Sequence, residues 1–240
     1  MCPVHSVRIG SSWRRPNNEI RVELDSHTDT CVVGRNCLVV HYHCRPINIY
    51  GFDPADESKT TRIVDAAIKY ISPVTRERFI LIINKAIDIK GLDHHPLCPM
   101  QYHLNGAKID ELPKFLAEYP TLETHAIQLE DPNDATQPLL IPLSIHGVTS
   151  HFMEMKPTPE EYEDQNITHI ELTEDSPPWD PYDPDFSCRE DSMVNLKGKI
   201  VIPKTTARGW FVISSVQSYS HDGAVYLVGD ENFATALKKM

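Results

Sequence analysis

Between residues 20 and 89 the apolar positions gather into short runs, at 20–24, 31–33, 37–42, 46–50, 60–70 and 79–89, with turn-forming residues between them. Alternation of apolar and polar positions, and the abundance of Val, Ile and Tyr, predict strands for these runs. The run 60–70, which contains Arg62-Ile63-Val64-Asp65-Ala66-Ala67-Ile68-Lys69-Tyr70, alternates imperfectly. It has strands for neighbours and no helix cap before it, so a strand is predicted there too. Residues 97–104 are expected to form the short helix of this region, with Pro99 near its first turn, where a missing amide donor costs nothing. Closely spaced strands and turns predict a mainly β fold, a sandwich or a closed barrel.

Beyond 112 the pattern changes. Residues 126–129 and 139–145 suggest a hairpin around Asp131-Pro132-Asn133-Asp134. From Glu154 to Asp191 there are 13 acidic residues against Lys156 and Arg189, with six prolines. So much like charge and so little apolar surface predict an extended or poorly ordered linker, with Trp179 packing locally. Strands are expected again at 199–202, 209–216 and 224–228, followed by a helix over 231–239 that Asp230 caps. The expected organisation is a β domain, sandwich or barrel, at 19–112, a β extension at 113–152, an acidic Pro-rich linker at 153–194, and a small β module with a terminal helix at 195–240.

Composition narrows the function classes. A chain of 240 residues with 40% apolar content can bury one generous core or two small ones. A net charge of −11 argues against nucleic-acid binding, and the basic pairs Arg14-Arg15 and Lys238-Lys239 are too small to change that. No stretch approaches the ~20 apolar residues of a membrane span, and residues 1–18 lack the apolar core of a signal peptide. A soluble cytoplasmic protein without membrane partners is therefore expected. The six cysteines, Cys2, Cys31, Cys37, Cys44, Cys98 and Cys188, are irregularly spaced and read as free thiols.

The candidate chemistry lies at residues 20–34, where a β-prone run delivers Asp25-Ser26 into the turn His27-Thr28-Asp29-Thr30 and a second apolar strand follows. Hydrolysing a peptide without metal or covalent intermediate needs two carboxyls about 3 Å apart that share one proton. Asp175-Ser176 and Asp191-Ser192 lie in the acidic segment without a preceding strand, so neither supplies the second carboxyl. The economical partner for Asp25 is Asp25 of a second copy, brought to it by a two-fold axis. No cofactor is required.

These motifs resemble the retropepsin-like aspartic proteases of copia-type LTR retrotransposon Pol polyproteins over residues 19–110. The resemblance runs through Glu23-Leu24-Asp25-Ser26, Asn48-Ile49-Tyr50-Gly51-Phe52, the strands at 60–70 and 79–89, Lys90-Gly91-Leu92, and Leu97-Cys98-Pro99-Met100. Ile145-His146-Gly147-Val148-Thr149-Ser150 and Pro177-Pro178-Trp179-Asp180-Pro181 are similar to the stretch after the protease in such polyproteins. The resemblance implies a closed β-barrel and a homodimeric aspartic endopeptidase that processes its own polyprotein, in the cytoplasm or within virus-like particles. Asp25 is then catalytic, within an active-site loop of Ser26, His27, Thr28 and Asp29. Ser26 would brace the two loops across the axis, and Asp29 would bind substrate backbone or hold the loop. Tyr50, Gly51 and Phe52 would belong to the flap that closes over substrate.

One position departs from that pattern. The family usually has Gly or Ala after Asp-Ser, where the turn is crowded, and this chain has His27. A catalytically inactive domain of the same fold, serving dimerisation or peptide binding, is the alternative function. Metal binding is a different class of reading, because Cys31, Cys37, His41, His43 and Cys44 crowd together, as do His94, His95 and Cys98. Without a Cys-x-x-Cys pair, and with Cys44 facing away from His41 and His43 on a strand, no metal site is predicted. Free thiols and surface histidines account for these residues. Gly-x-Ser-x-Gly and Gly-rich phosphate-binding patterns are absent from the sequence.

Overall fold

A computed structural model describes residues 19–49, 59–132, 134–176 and 178–201, and the strand segments 204–205, 211–212, 217–221 and 224–228. The chain divides into two compact units, Met1–Trp179 and Asp180–Met240. In chain order the first unit begins β1 (Ile20–Leu24), β2 (Val32–Val33), β3 (Leu38–Ile49), β4 (Lys59–Ile71), β5 (Arg78–Asp88), β6 (His95–Leu97) and α1 (Pro99–Leu104). It continues β7 (Lys108–Asp110), β8 (Ala126–Asp131), β9 (Asp134–Pro142), β10 (Ser144–His146), β11 (Thr149–Glu154), α2 (Pro159–Glu163) and β12 (Thr168–Glu171). The molecule is mainly β, and the early strands fall close to where the apolar pattern places them, except that the two expected at 37–42 and 46–50 run together as the single strand β3.

Two sheets position the Asp25 loop. The first has the order β10-β11-β1-β6, with β1 antiparallel to β11 and parallel to β6. Strand β1 alternates buried and half-buried residues, so Ile20, Val22 and Leu24 line one face. The second has the order β12-β5-β4-β3. Strand β4 covers one edge of β5, and β12 and β2 share the other, both parallel to it. With neighbours along both edges β5 is buried almost throughout, which explains why Phe-Ile-Leu-Ile-Ile reads as a near-continuous apolar run. Backbone bonds between Lys69 and Met155, at 2.7 and 2.9 Å, tie β4 of this sheet to the end of β11. One apolar core joins them, with Val22, Val64, Ile68, Leu81, Leu97, Tyr102 and Phe152 among its members.

Several expectations need correction. The described strands of the first unit form separate sheets of four, five and three strands, with no closed barrel among them. The helix expected at 97–104 begins at Pro99, because Leu97 still pairs with Leu24 in β6 and Cys98 takes the cap position. Two more helices, α2 and α3 (Asp185–Ser192), form within the acidic segment, where none was expected.

Up to residue 175 that segment is also no linker. Thr158 and Glu161 build a reciprocal capping box for α2. Lys69 Nζ donates to both Glu161 oxygens at 2.7 and 2.8 Å. Ile167, Ile170 and Leu172 are buried, and β12 extends the β5 sheet. Thr173 and Asn84 then exchange three hydrogen bonds in the interior, at 2.7, 2.8 and 2.9 Å. Nor do 113–152 form an extension outside a complete domain, since β11 is the antiparallel partner of β1. The hairpin around Asp131 and Asp134 is present as β8–β9.

The second unit holds α3, an isolated bridge between Val194 and Ile200, and two hairpins. These are β13 (Lys204–Thr205) with β14 (Phe211–Val212), and β15 (Gln217–His221) with β16 (Ala224–Val228). Of the strands expected at 199–202, 209–216 and 224–228, the described residues of the first hold only the bridge at Ile200, the second holds the two-residue β14, and the third is β16. The helix expected at 231–239 lies outside the described residues.

Candidate functional site

Residues 25–31 connect β1 to β2 and are fixed at both ends by the segment that leads into α1. Leu97 accepts the Asp25 N–H at 3.0 Å, directly after the parallel register Leu24 to Leu97. At the far end the buried Gln101 side chain on α1 accepts the Cys31 N–H at 2.6 Å. Cys98 N–H donates to Cys31 Sγ at 3.2 Å, and burial pushes both thiols up, so they stay protonated and inert beneath the loop. The foundation is therefore apolar, hydrogen-bonded and free of competing charge.

Within the loop, the His27 N–H donates to Asp25 Oδ1 at 2.9 Å, and the Thr28 N–H and hydroxyl both donate to the Asp25 carbonyl, at 3.2 and 2.8 Å. The turn holds one carboxylate oxygen by backbone alone. Ser26, His27 and Asp29 are exposed, and Asp25 and Thr28 are half-buried. Among the described residues the non-glycine positions with positive φ are Arg76, Lys85 and His125, and His27 is not one of them. Its turn therefore needs no glycine for backbone reasons, and the side chain is exposed. The five predicted loop residues are brought together on one small surface. Tyr50, Gly51 and Phe52 lie outside the described residues.

Three further groups support this loop in roles that the sequence did not indicate. Trp179 was expected to pack locally; its indole N–H instead reaches the Asp29 carbonyl and Thr30 Oγ1, both at 3.1 Å, from 150 residues away along the chain. Gly34 follows β2 at a crossing so close that a Cβ would meet the Leu92 and His94 carbonyl oxygens at 2.6 and 2.8 Å. The Gly34 N–H donates to Nδ1 of the fully buried His95 at 2.8 Å. Because Nδ1 accepts, the ring proton sits on Nε2, which donates to Glu154 Oε1 at 3.1 Å. Burial pushes the Glu154 carboxyl above its ordinary value, while the His95 bond opposes that shift. This chain of bonds links β2, β6 and β11 behind the loop.

Chemically, a carboxyl held this way can exchange a proton with a bound water if a second carboxyl shares the charge. Among the described residues Asp25 makes no hydrogen bond to another carboxyl. The second expected Cys–His cluster disperses: His95 is held by Gly34 and Glu154, and Cys98 by Cys31. Cys37 turns to the Gly34 carbonyl, and burial pushes its thiol to about 11. Cys31, Cys37, Cys44, Cys98 and Cys188 are free cysteines. Among the described residues no helix is long and apolar enough to cross a membrane. No family model, curated protein or solved structure matches the chain.

Proposed function

We propose that the chain is an aspartic endopeptidase of retropepsin-like fold, acting as a homodimer in which Asp25 of each copy supplies one carboxyl. The observation that carries this reading is the seating of Asp25. Its loop is clamped at Leu97 and Gln101, one carboxylate oxygen is fixed by the His27 amide, and the tip faces outward with Ser26, His27 and Asp29 exposed. Rigid support beneath a half-buried acid at the base of an exposed tip is what pairing across a two-fold axis requires.

In that pair one carboxylate removes a proton from water as its oxygen bonds to the peptide carbonyl carbon. The protonated partner hands its proton to the carbonyl oxygen, giving a neutral tetrahedral diol. Collapse of the diol breaks the C–N bond as the amine takes a proton from the dyad. The substrate class is polypeptide, and the chain's own polyprotein is the first candidate. Asp25→Asn in a longer precursor should reduce self-cleavage about 100- to 10,000-fold, read as the disappearance of products on a gel. Equal cleavage by wild type and variant would overturn the proposal. A wild type that does not cleave favours the silent binding domain, a reading that rests on His27 standing where the resembled family has Gly or Ala.

A further inference from the structure

The described residues contain one group of three side chains whose donor atoms could hold a metal ion, and it lies on the second sheet, outside the Asp25 loop. His41, His43 and Asp65 each offer one donor, all within 4.8 Å of one another. His41 and His43 share a face of β3, and His41 sits in register with Asp65 on β4. His43 Nε2 is 2.8 Å from Asp65 Oδ1, and the two imidazoles stand edge to face with centroids 4.8 Å apart. The sequence pattern already placed the two histidines on one face. It missed the carboxylate, which joins them only through strand pairing.

The backbone around Asp65 is the second observation. The β3–β4 ladder shifts register between Val39 and His41, and the β4–β5 ladder shifts between Val64 and Ala66. Opposite this point Lys85 takes a left-handed conformation, φ 56°, and its N–H donates to Asp65 Oδ1 at 2.9 Å. Two register shifts and one non-glycine left-handed residue thus converge on a single buried carboxylate. A bulge re-aims a side chain, and left-handed strain persists where the surroundings demand it. Keeping a carboxylate in the middle of a sheet is costly, and a bound cation offsets that cost more fully than the His43 ring and the Lys85 amide do.

We infer that His41, His43 and Asp65 bind a divalent transition-metal ion of the zinc class. Two imidazoles and one carboxylate suit such an ion, whereas calcium and magnesium prefer all-oxygen sites. Bonds of about 2.0–2.2 Å in a tetrahedron require donors roughly 3.3 Å apart. The exposed His41 ring closes that distance by rotating inward, at little cost. His43 coordinates through Nε2 with its ring proton moved to Nδ1, the Lys85 amide orients the Asp65 carboxylate from outside, and water fills the fourth position. The ion cross-links β3 and β4.

The test uses the full chain, stripped with chelator and desalted, and titrated with Zn2+ by calorimetry and with Co2+ by visible absorption. One ion per chain and four-coordinate Co2+ bands are expected, with a rise in Tm on adding Zn2+. The His41→Ala/His43→Ala pair should weaken binding about 100-fold or more and abolish the Tm shift. Asp65→Asn removes the third donor and should weaken binding similarly. His41→Gln changes only an exposed side chain, so it keeps the question answerable if the pair misfolds: it too should lose most of the Zn2+-induced shift. Absence of one-to-one binding in the wild type, or binding undiminished in the variants, overturns the assignment.

Discussion

Gly34 shows how one small residue fixes the geometry behind the Asp25 loop. A methyl group there would press against two backbone carbonyl oxygens, at 2.6 and 2.8 Å, and neither can swing aside as a side-chain end could. Gly34→Ala should therefore cost about 2–3 kcal/mol, measured as a lower urea midpoint. A variant as stable as wild type would mean that the crossing of β2 and the 92–94 segment is looser than described. The adjacent His95–Glu154 pair gives a pH signature. Burial raises the Glu154 carboxyl above its reference value of 4.5, so the folded chain keeps a proton that the unfolded chain has already released. Stability from this group is full below about 4.5 and declines as pH rises through the raised value. Glu154→Gln keeps an oxygen to accept from His95 and cannot ionise, so its Tm should decline less than that of wild type as pH rises above about 4.5. Parallel Tm–pH curves would reject this account. Asp25 and its loop were legible because turn chemistry is local; His95, Glu154, Gln101 and Gly34 were not, since each acts through a bond that spans 59 to 70 residues of chain.

Among the elements, strands with a clear alternation, such as β1, and long apolar runs, such as β5, were readable directly from the chain. The acidic segment was not, because charge averaged over its length hid a short buried pattern, Ile167, Ile170 and Leu172, whose neighbours Glu171 and Glu174 are exposed. A capping box and one ion pair then dock α2 onto β4, through Glu161 and Lys69. The Lys69 bond, with the Thr158 backbone behind it, lowers the Glu161 carboxyl, consistent with a pair that is mostly shielded from water. Glu161→Ala removes both the reciprocal cap and the Lys69 partner and should cost about 1–2 kcal/mol. The same variant should speed amide exchange over 158–173, and exchange unchanged there would show that β12 docks without help from α2.

For the whole molecule, the proposed homodimer gives each copy half of a proteolytic dyad, its single Asp25 loop. Under that proposal cleavage requires two copies, so well below the dimer dissociation constant the dimer concentration follows the square of monomer concentration and the active fraction rises in proportion to the monomer concentration itself. Specific activity should rise steeply with protein concentration in that range and level off above it. Mixing wild type with excess Asp25→Asn should lower activity further, because mixed dimers carry one ionisable carboxyl and one amide in place of the shared-proton pair. The closed barrel implied by resemblance is not needed for this behaviour; the requirement is that two clamped loops meet tip to tip. Sedimentation of the same samples gives the dimer fraction independently, and activity should follow it point by point. Full specific activity in a sample that sediments as monomer would show that the second acid comes from within one chain, and the homodimer would have to be abandoned.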